Sequence, residues 1–237
     1  MGKEKLIVAL DVDTVDEALA LVDKLAPHVG MFKVGMELYN AAGPDAVKKI
    51  IERGGKVFLD LKMHDIPTTV AKTARVLTRL GVSIINIHAS GGLAMMQATA
   101  SAVQDEAAVK GVQPPQVIAV TVLTSMDQNA LNTQLNMAGT VEEQVVRWSK
   151  LAQQAGLHGV VCSPREIKAI REACGKNFTI ITPGIRPAGV DKNDQERIMT
   201  PAEAVQLGVS YLVVGRPITQ ADNQVEAAKA IVEEIEG

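Results

Sequence analysis

Cysteine is scarce: Cys162 and Cys174 are the only two in 237 residues. Two thiols make no disulfide framework, and neither lies near a histidine-rich cluster that could complete a metal site. Aromatic residues are only 3 % of the chain, too few for the stacking platforms that hold nucleic-acid bases. A basic excess is missing as well. The formal net charge is −3, which argues against nucleic acid or an anionic membrane surface as partner. No run approaches the ~20 apolar residues needed to cross a bilayer. Before Asp11 there are only five consecutive apolar residues, too short a core for a signal peptide. Neither GxGxxG after the first apolar run nor GxxxxGK[ST] occurs, so dinucleotide and ATP binding lack a signal. With 47 % hydrophobic residues the chain has the makings of a core. What remains is a cytoplasmic globular protein, with residues 1–237 as a single domain.

What is present is alternation. Short apolar, β-branched runs recur at 6–12, 31–37, 56–62, 83–89, 116–123, 158–164, 178–185 and 211–217. Several are apolar on both faces, as strands of a parallel sheet covered by helices must be. The stretches between them carry helical periodicity. Thr14 and Glu17 have capping-box spacing ahead of Ala18, Leu19, Leu21, Val22 and Leu25. Gly54-Gly55 and Gly81 stop the second and third helices just before a strand. Eight successive β–α units predict a (β/α)₈ barrel, the TIM-barrel architecture of the α/β class. A doubly wound open sheet is the alternative, but it would not naturally use eight strands in this length. Two connections exceed packing needs: residues 125–139 after the fifth strand, and Arg186 to Met199 after the seventh. Both belong to the face where barrels build their sites.

Charge collects on that face. Asp11 ends the first strand, Lys33 lies within the second, and Asp60 and Lys62 end the third, with Asp65 on the loop beyond. Strict alternation puts Asp60 and Lys62 on one face with Phe58, opposite Val57, Leu59 and Leu61. An ion-pair plug is the bland reading. Four charges at the catalytic ends of neighbouring strands favour a site. His88 ends the fourth strand, and Thr121 and Thr124 offer short hydroxyls at the fifth. Arg186 follows the seventh strand; Gly215 and Arg216 end the eighth. Arginines near strand ends are often surface caps, but loops seven and eight are where barrels bind phosphate. His64 and His88 lack any HxH or HExxH spacing, so no metal is expected.

The string Asp60-Leu61-Lys62-Met63-His64-Asp65-Ile66-Pro67-Thr68-Thr69 resembles the D-x-K-x-x-D-I-P-x-T signature of the orotidine 5′-monophosphate decarboxylase family. LDVD at 10–13, FKVG at 32–35, TPGIRP at 182–187, Asp-Gln at 194–195 and VVGRPI at 213–218 resemble further elements in the same order. The resemblance spans essentially the whole chain and suits the shorter bacterial form. It implies decarboxylation of orotidylate to uridylate (UMP) in pyrimidine synthesis, with no metal or organic cofactor. It also implies a homodimer with composite active sites. Lys33, Asp60 and Lys62 would form a charged array with Asp65 of the partner chain, and Lys62 would protonate C6. Asp11 and Lys33 would hold the ribose and Thr124 the pyrimidine. Gln195, Gly215 and Arg216 would hold the phosphate with help from Arg186, while Ile66, Pro67, Thr68 and Thr69 complete the pocket wall and Leu61, Met63 and His64 of the same string also contact substrate. The alternative on the same barrel is a metal-dependent sugar-phosphate synthase. A Schiff-base aldolase using Lys62 is disfavoured, because flanking carboxylates stabilise an ammonium rather than the free amine that forms an imine.

Overall fold

The computed structural model describes residues 2–187 and 199–237. The strands are β1 (Leu6–Ala9), β2 (Met31–Gly35), β3 (Val57–Met63), β4 (Ile84–His88), β5 (Gln116–Val120), β6 (Gly159–Val161), β7 (Thr179–Thr182) and β8 (Tyr211–Val214). Each pairs in parallel with the next, and β8 pairs with β1 to close a barrel. All eight expected runs therefore become strands. Seven of them are shorter than the apolar runs, because each of those runs extends beyond the residues that pair in the barrel, and β3 has the expected length shifted by one residue. At β1 the last ladder bond runs from Leu10 N–H to Lys33 O at 2.9 Å. Asp11 thus sits on the loop rather than on the strand end, and Cys162 lies one residue past β6, buried.

The alternation of side chains divides the core in two. Ile7, Ala9, Met31, Phe58, Ile84, Ile118, Ile181 and Val213 fill the barrel interior as a separate cluster. The residues between them, such as Leu6, Val8, Phe32, Val34, Val57 and Leu59, join the helices in a larger outer core. Glycine is required at one place in this wall. A Cβ on Gly159 would collide with the backbone of Thr179 on the neighbouring β7.

Helices α1 (Val15–Leu25), α2 (Met36–Ala42), α3 (Pro44–Glu52), α4 (Pro67–Thr78), α5 (Gly92–Lys110), α6 (Val141–Gln154), α7 (Ile167–Cys174), α8 (Pro201–Gln206), α9 (Arg216–Thr219) and α10 (Gln224–Glu236) cover the outside. Thr14 caps α1, its hydroxyl oxygen accepting from Glu17 N–H at 3.2 Å. The single helix expected before β3 is two. Gly43, at φ 64°, ends α2, and Pro44 opens α3 at the position where its missing N–H costs nothing. The long connection after β5 is not open chain either. It contains a turn of π-helix, Ala130–Gln134, with Leu131 buried and Asp127 Oδ1 accepting from Ala130 N–H at 2.7 Å.

On the opposite end of the barrel, Arg171 of α7 staples two turns together. Its guanidinium donates to Gly208 O at 2.8 Å, Gly175 O at 3.0 Å and Ser210 Oγ at 3.1 Å, and also to Phe178 O. These acceptors precede β7 and β8, so the arginine fixes where both strands enter. Arg171→Ala should destabilise the fold by about 2–3 kcal/mol, the worth of losing hydrogen bonds to a charged donor. Urea unfolding measures this; a change below about 0.5 kcal/mol, the size of an ordinary surface substitution, would contradict the staple.

Candidate active site

The site is built around β3. Phe58 pairs with Ile84 and Leu59 with Ile85, but the next partner of Ile87 is Met63. Three residues of β3, from Asp60 to Lys62, thus face the single residue Asn86 of β4. This is a bulge, and within it Lys62 takes φ 51°, a left-handed conformation uncommon for a side chain of this kind. The expectation that Asp60 and Lys62 share a face holds, but plain alternation is not the cause. The bulge re-aims Lys62, as bulges beside active sites do.

The charged residues form one alternating chain. Lys62 Nζ donates to Asp60 Oδ1 at 2.7 Å, Lys33 Nζ lies 3.6 Å from Asp60 Oδ2, and Lys33 Nζ donates to Asp11 Oδ1 at 3.0 Å. Asp60 is the most enclosed member with Lys33, each 12 % exposed at the side chain, against 29 % for Lys62. Burial pushes the Asp60 carboxyl up. The charges of Lys33 and Lys62, with hydrogen bonds from Lys62 and Asn86, outweigh it and hold the group below its ordinary value. Close by, the rings of His64 and His88 lie 5.4 Å apart. Burial, then the charges of His64 and Lys62, push His88 down and so favour its neutral form. Among the described residues no group of three His, Cys, Asp or Glu is placed to hold a metal ion.

Next to this chain a cavity of about 140 Å³ is lined by Ala9, Asp11, Lys33, Pro183, Gly184, Arg186, Val213, Gly215 and Arg216. It brings together the ends of β1, β2, β7 and β8. Arg186 is buried, its Nη1 donating to Ile185 O at 3.0 Å, and its N–H donates to Met199 O at 3.1 Å. At Gly215 a Cβ would sit 3.6 Å from Asp11 Oδ2, so a side chain there would fill part of the cavity. Gln195 lies outside the described residues.

Other expected residues stand apart from the ionic chain. Thr124 is half-buried on the loop after β5. Thr121 serves the fold, donating to Val161 O at 2.8 Å. Leu61 and Met63 pack on the outer core. Asp65 is exposed and accepts from Ile66 N–H at 2.7 Å; among the described residues it makes no ion pair. Ile66 is 66 % exposed, and Pro67, Thr68 and Thr69 form the first turn of α4. One residue went unnoticed in the sequence. Asn86, 1 % exposed, accepts from Lys62 N–H at 2.8 Å and donates to Asp60 Oδ1 at 2.6 Å. The signal was one amide within the apolar run Ile84–His88, since a buried polar group must find partners.

The profile of the Orotidine 5′-phosphate decarboxylase / HUMPS family matches residues 4–231. A Moorella thermoacetica protein named orotidine 5′-phosphate decarboxylase is 60 % identical over 235 residues, covering 99 % of this chain and 93 % of its own. One of the same name from Syntrophomonas wolfei is 53 % identical over 236 residues, covering 99 % of each. A crystal structure of orotidine 5′-phosphate decarboxylase from Lactobacillus acidophilus aligns with TM-score 0.86 and 40 % identity, over 98 % of this chain and 99 % of that one.

A pH dependence follows from Asp60. Its folded-state value is depressed, so its ionised form contributes stability above the unfolded carboxylate value of about 3.9, lost as pH falls through the folded value. The stability of the wild type should therefore fall relative to Asp60→Asn as the pH drops below about 5, through the unfolded carboxylate value and towards the lower folded one. Urea unfolding of both proteins across that range reads the difference; parallel profiles would contradict the ion-paired carboxylate.

Proposed function

The chain belongs to the orotidine 5′-phosphate decarboxylase / HUMPS family, and on that premise we infer its chemistry. It is a carboxy-lyase that converts orotidine 5′-monophosphate to uridine 5′-monophosphate and CO₂, a step of pyrimidine nucleotide synthesis. The observation that carries the assignment of roles is the Lys33–Asp60–Lys62 array at the barrel mouth, with the Lys62 ammonium 2.7 Å from Asp60.

The bond between C6 and the carboxylate carbon breaks with its electron pair left on C6. The pyrimidine ring delocalises that pair poorly, so a cation at C6 is what the transition state needs. Lys62 supplies the cation and then the proton, and CO₂ leaves. Asp60 fixes the ammonium in place and repels the substrate carboxylate, a repulsion relieved as CO₂ departs. At an effective dielectric of 20, charges about 4 Å apart interact by only ~4 kcal/mol, whereas enzymes lower barriers by ~8–23 kcal/mol. Repulsion alone falls short. The remainder comes from the preorganised lysines and from binding energy at the remote phosphate.

Asp11 and Lys33 hold the ribose and Thr124 the pyrimidine. Gly215, Arg216, Arg186 and Gln195 take the phosphate. The cavity between β1, β2, β7 and β8 supports this reading, since two arginines border it. Ile66, Pro67, Thr68 and Thr69, with His64, wall the pocket from the β3 side, while Leu61 and Met63, packed on the outer core, hold the strand behind it. The enzyme acts as a homodimer in which Asp65 enters the partner's site. In favour stand an outward-facing Asp65 beside an Ile66 that is 66 % exposed, an apolar surface a second copy would cover. It works in the cytoplasm: both cysteines are free thiols, and among the described residues no helix is long and apolar enough to cross a membrane.

Lys62→Ala should lower kcat by about 10⁴-fold or more while keeping uridylate binding, because the lysine acts on the transition state. Arg216→Ala should lower kcat/KM with no change at the reacting atoms. Unaltered kcat/KM in either variant refutes its role. Mixed subunits carrying Asp65→Asn and Lys62→Ala should regain activity that neither has alone; no recovery would place Asp65 and Lys62 in the same subunit's site.

A further inference from the structure

We propose that Asn86 is a positioning residue for the decarboxylation, one side chain that both sets the aim of Lys62 and ties it to Asp60. The proposal rests on the reading of Lys62 and Asp60 given above.

The register of the sheet is broken beside Lys62. Between Leu59 and Met63 the β3 strand advances four residues, while β4 advances two, from Ile85 to Ile87. Backbone pairing cannot continue through such a mismatch, so the Lys62 N–H loses its place in the ladder. An unpaired N–H next to the core costs about 1–3 kcal/mol. Asn86 stands opposite the surplus residues, and its side-chain carbonyl accepts that N–H at 2.8 Å. Its amide nitrogen donates to Asp60 Oδ1 at 2.6 Å, the same oxygen that receives Lys62 Nζ at 2.7 Å. Both ends of the amide are thus used on the first and last residues of the bulge.

The consequence is geometric. A lysine at φ 51° is in a backbone state it would leave unless its surroundings hold it there. Asn86 is 1 % exposed, sits on a barrel strand, and has both partners fixed, so it has no competing water and little freedom to rotate. The neighbouring inward positions of β4 are Ile84, which is apolar, and His88, which faces His64. Neither can replace the amide. Asparagine is also the only type that fits both jobs at this length, since aspartate offers the acceptor but no donor when ionised, and leucine offers neither.

Two variants separate the two bonds. Asn86→Leu keeps the volume and removes both; Asn86→Asp keeps the acceptor for Lys62 N–H and loses the donor to Asp60. Steady-state kinetics with orotidine 5′-monophosphate, uridylate binding and thermal melting should be measured for both beside the wild type. Asn86→Leu should lose about 10²-fold in kcat, the cost of a displacement near 1 Å at the reacting group. Its KM and uridylate affinity should stay within about threefold, because the phosphate and ribose contacts lie elsewhere. Asn86→Asp should fall between the two in kcat at neutral pH. A lower melting temperature with kcat intact, or a loss shared equally by kcat and uridylate binding, overturns the proposal. If Asn86→Leu does not fold, Asn86→Asp decides it alone, and wild-type kcat in that variant counts against the proposal. Absence of wild-type conversion would defeat the functional reading instead. The structure of the variant then still decides the positioning: Lys62 leaving its left-handed turn supports it, and Lys62 unmoved refutes it.

Discussion

A carboxylate enclosed at the top of a barrel is costly to keep ionised, and Asp60 remains so only because cations and an amide face it on every side. Lys62 and Asn86 reach one oxygen and Lys33 approaches the other. Taking away one partner of a buried pair leaves an uncompensated charge worth about 3–5 kcal/mol. The same condition places the lysines. An ammonium held at 2.7 Å from a fixed carboxylate has little freedom left, and its orientation is settled before a substrate arrives. Preorganisation of this sort is the largest contribution an enzyme can make when charge develops at a single carbon.

The barrel supplies what such an array requires. Its interior is filled by aliphatic and aromatic side chains from Ile7 to Val213, so charged groups find room only at the open end. Strands β1, β2 and β3 bring Asp11, Lys33, Asp60 and Lys62 there, while the loops after β7 and β8 deliver Arg186, Gly215 and Arg216 to the cavity across from them. Stability is managed at the other end, where Arg171 gathers the carbonyls of two turns. The division lets the mouth carry strain and unlike charges while the base of the barrel holds the strands in register.

Much of this was legible in the residues. Eight apolar runs separated by helix-periodic stretches permit few arrangements other than a closed parallel barrel, and each run became a strand. The charged residues were legible because ionisable side chains at strand ends contradict an apolar pattern. What escaped notice depends on contacts between elements. The bulge in β3 has no mark in its own sequence, since it exists only relative to β4, and so the meeting of Asp60 and Lys62 was expected for an incomplete reason. Asn86 looks like one polar residue in a core strand until its partners are seen. The break at Gly43-Pro44 was visible as a dipeptide but lay inside one periodic stretch. Asp65 is exposed and makes no ion pair among the described residues, and no reading of a single chain reveals what it would meet.

On the proposed chemistry an ammonium fixed by Asp60, rather than a metal ion, drives loss of CO₂ from orotidylate. The most direct measurement is conversion of orotidine 5′-monophosphate by protein freed of metal with EDTA, followed through the loss of orotate absorbance. Complete conversion to uridylate at a rate unchanged by added divalent metal is the predicted result. A folded protein that converts nothing, or acts on a sugar phosphate only once a divalent metal is restored, would contradict it.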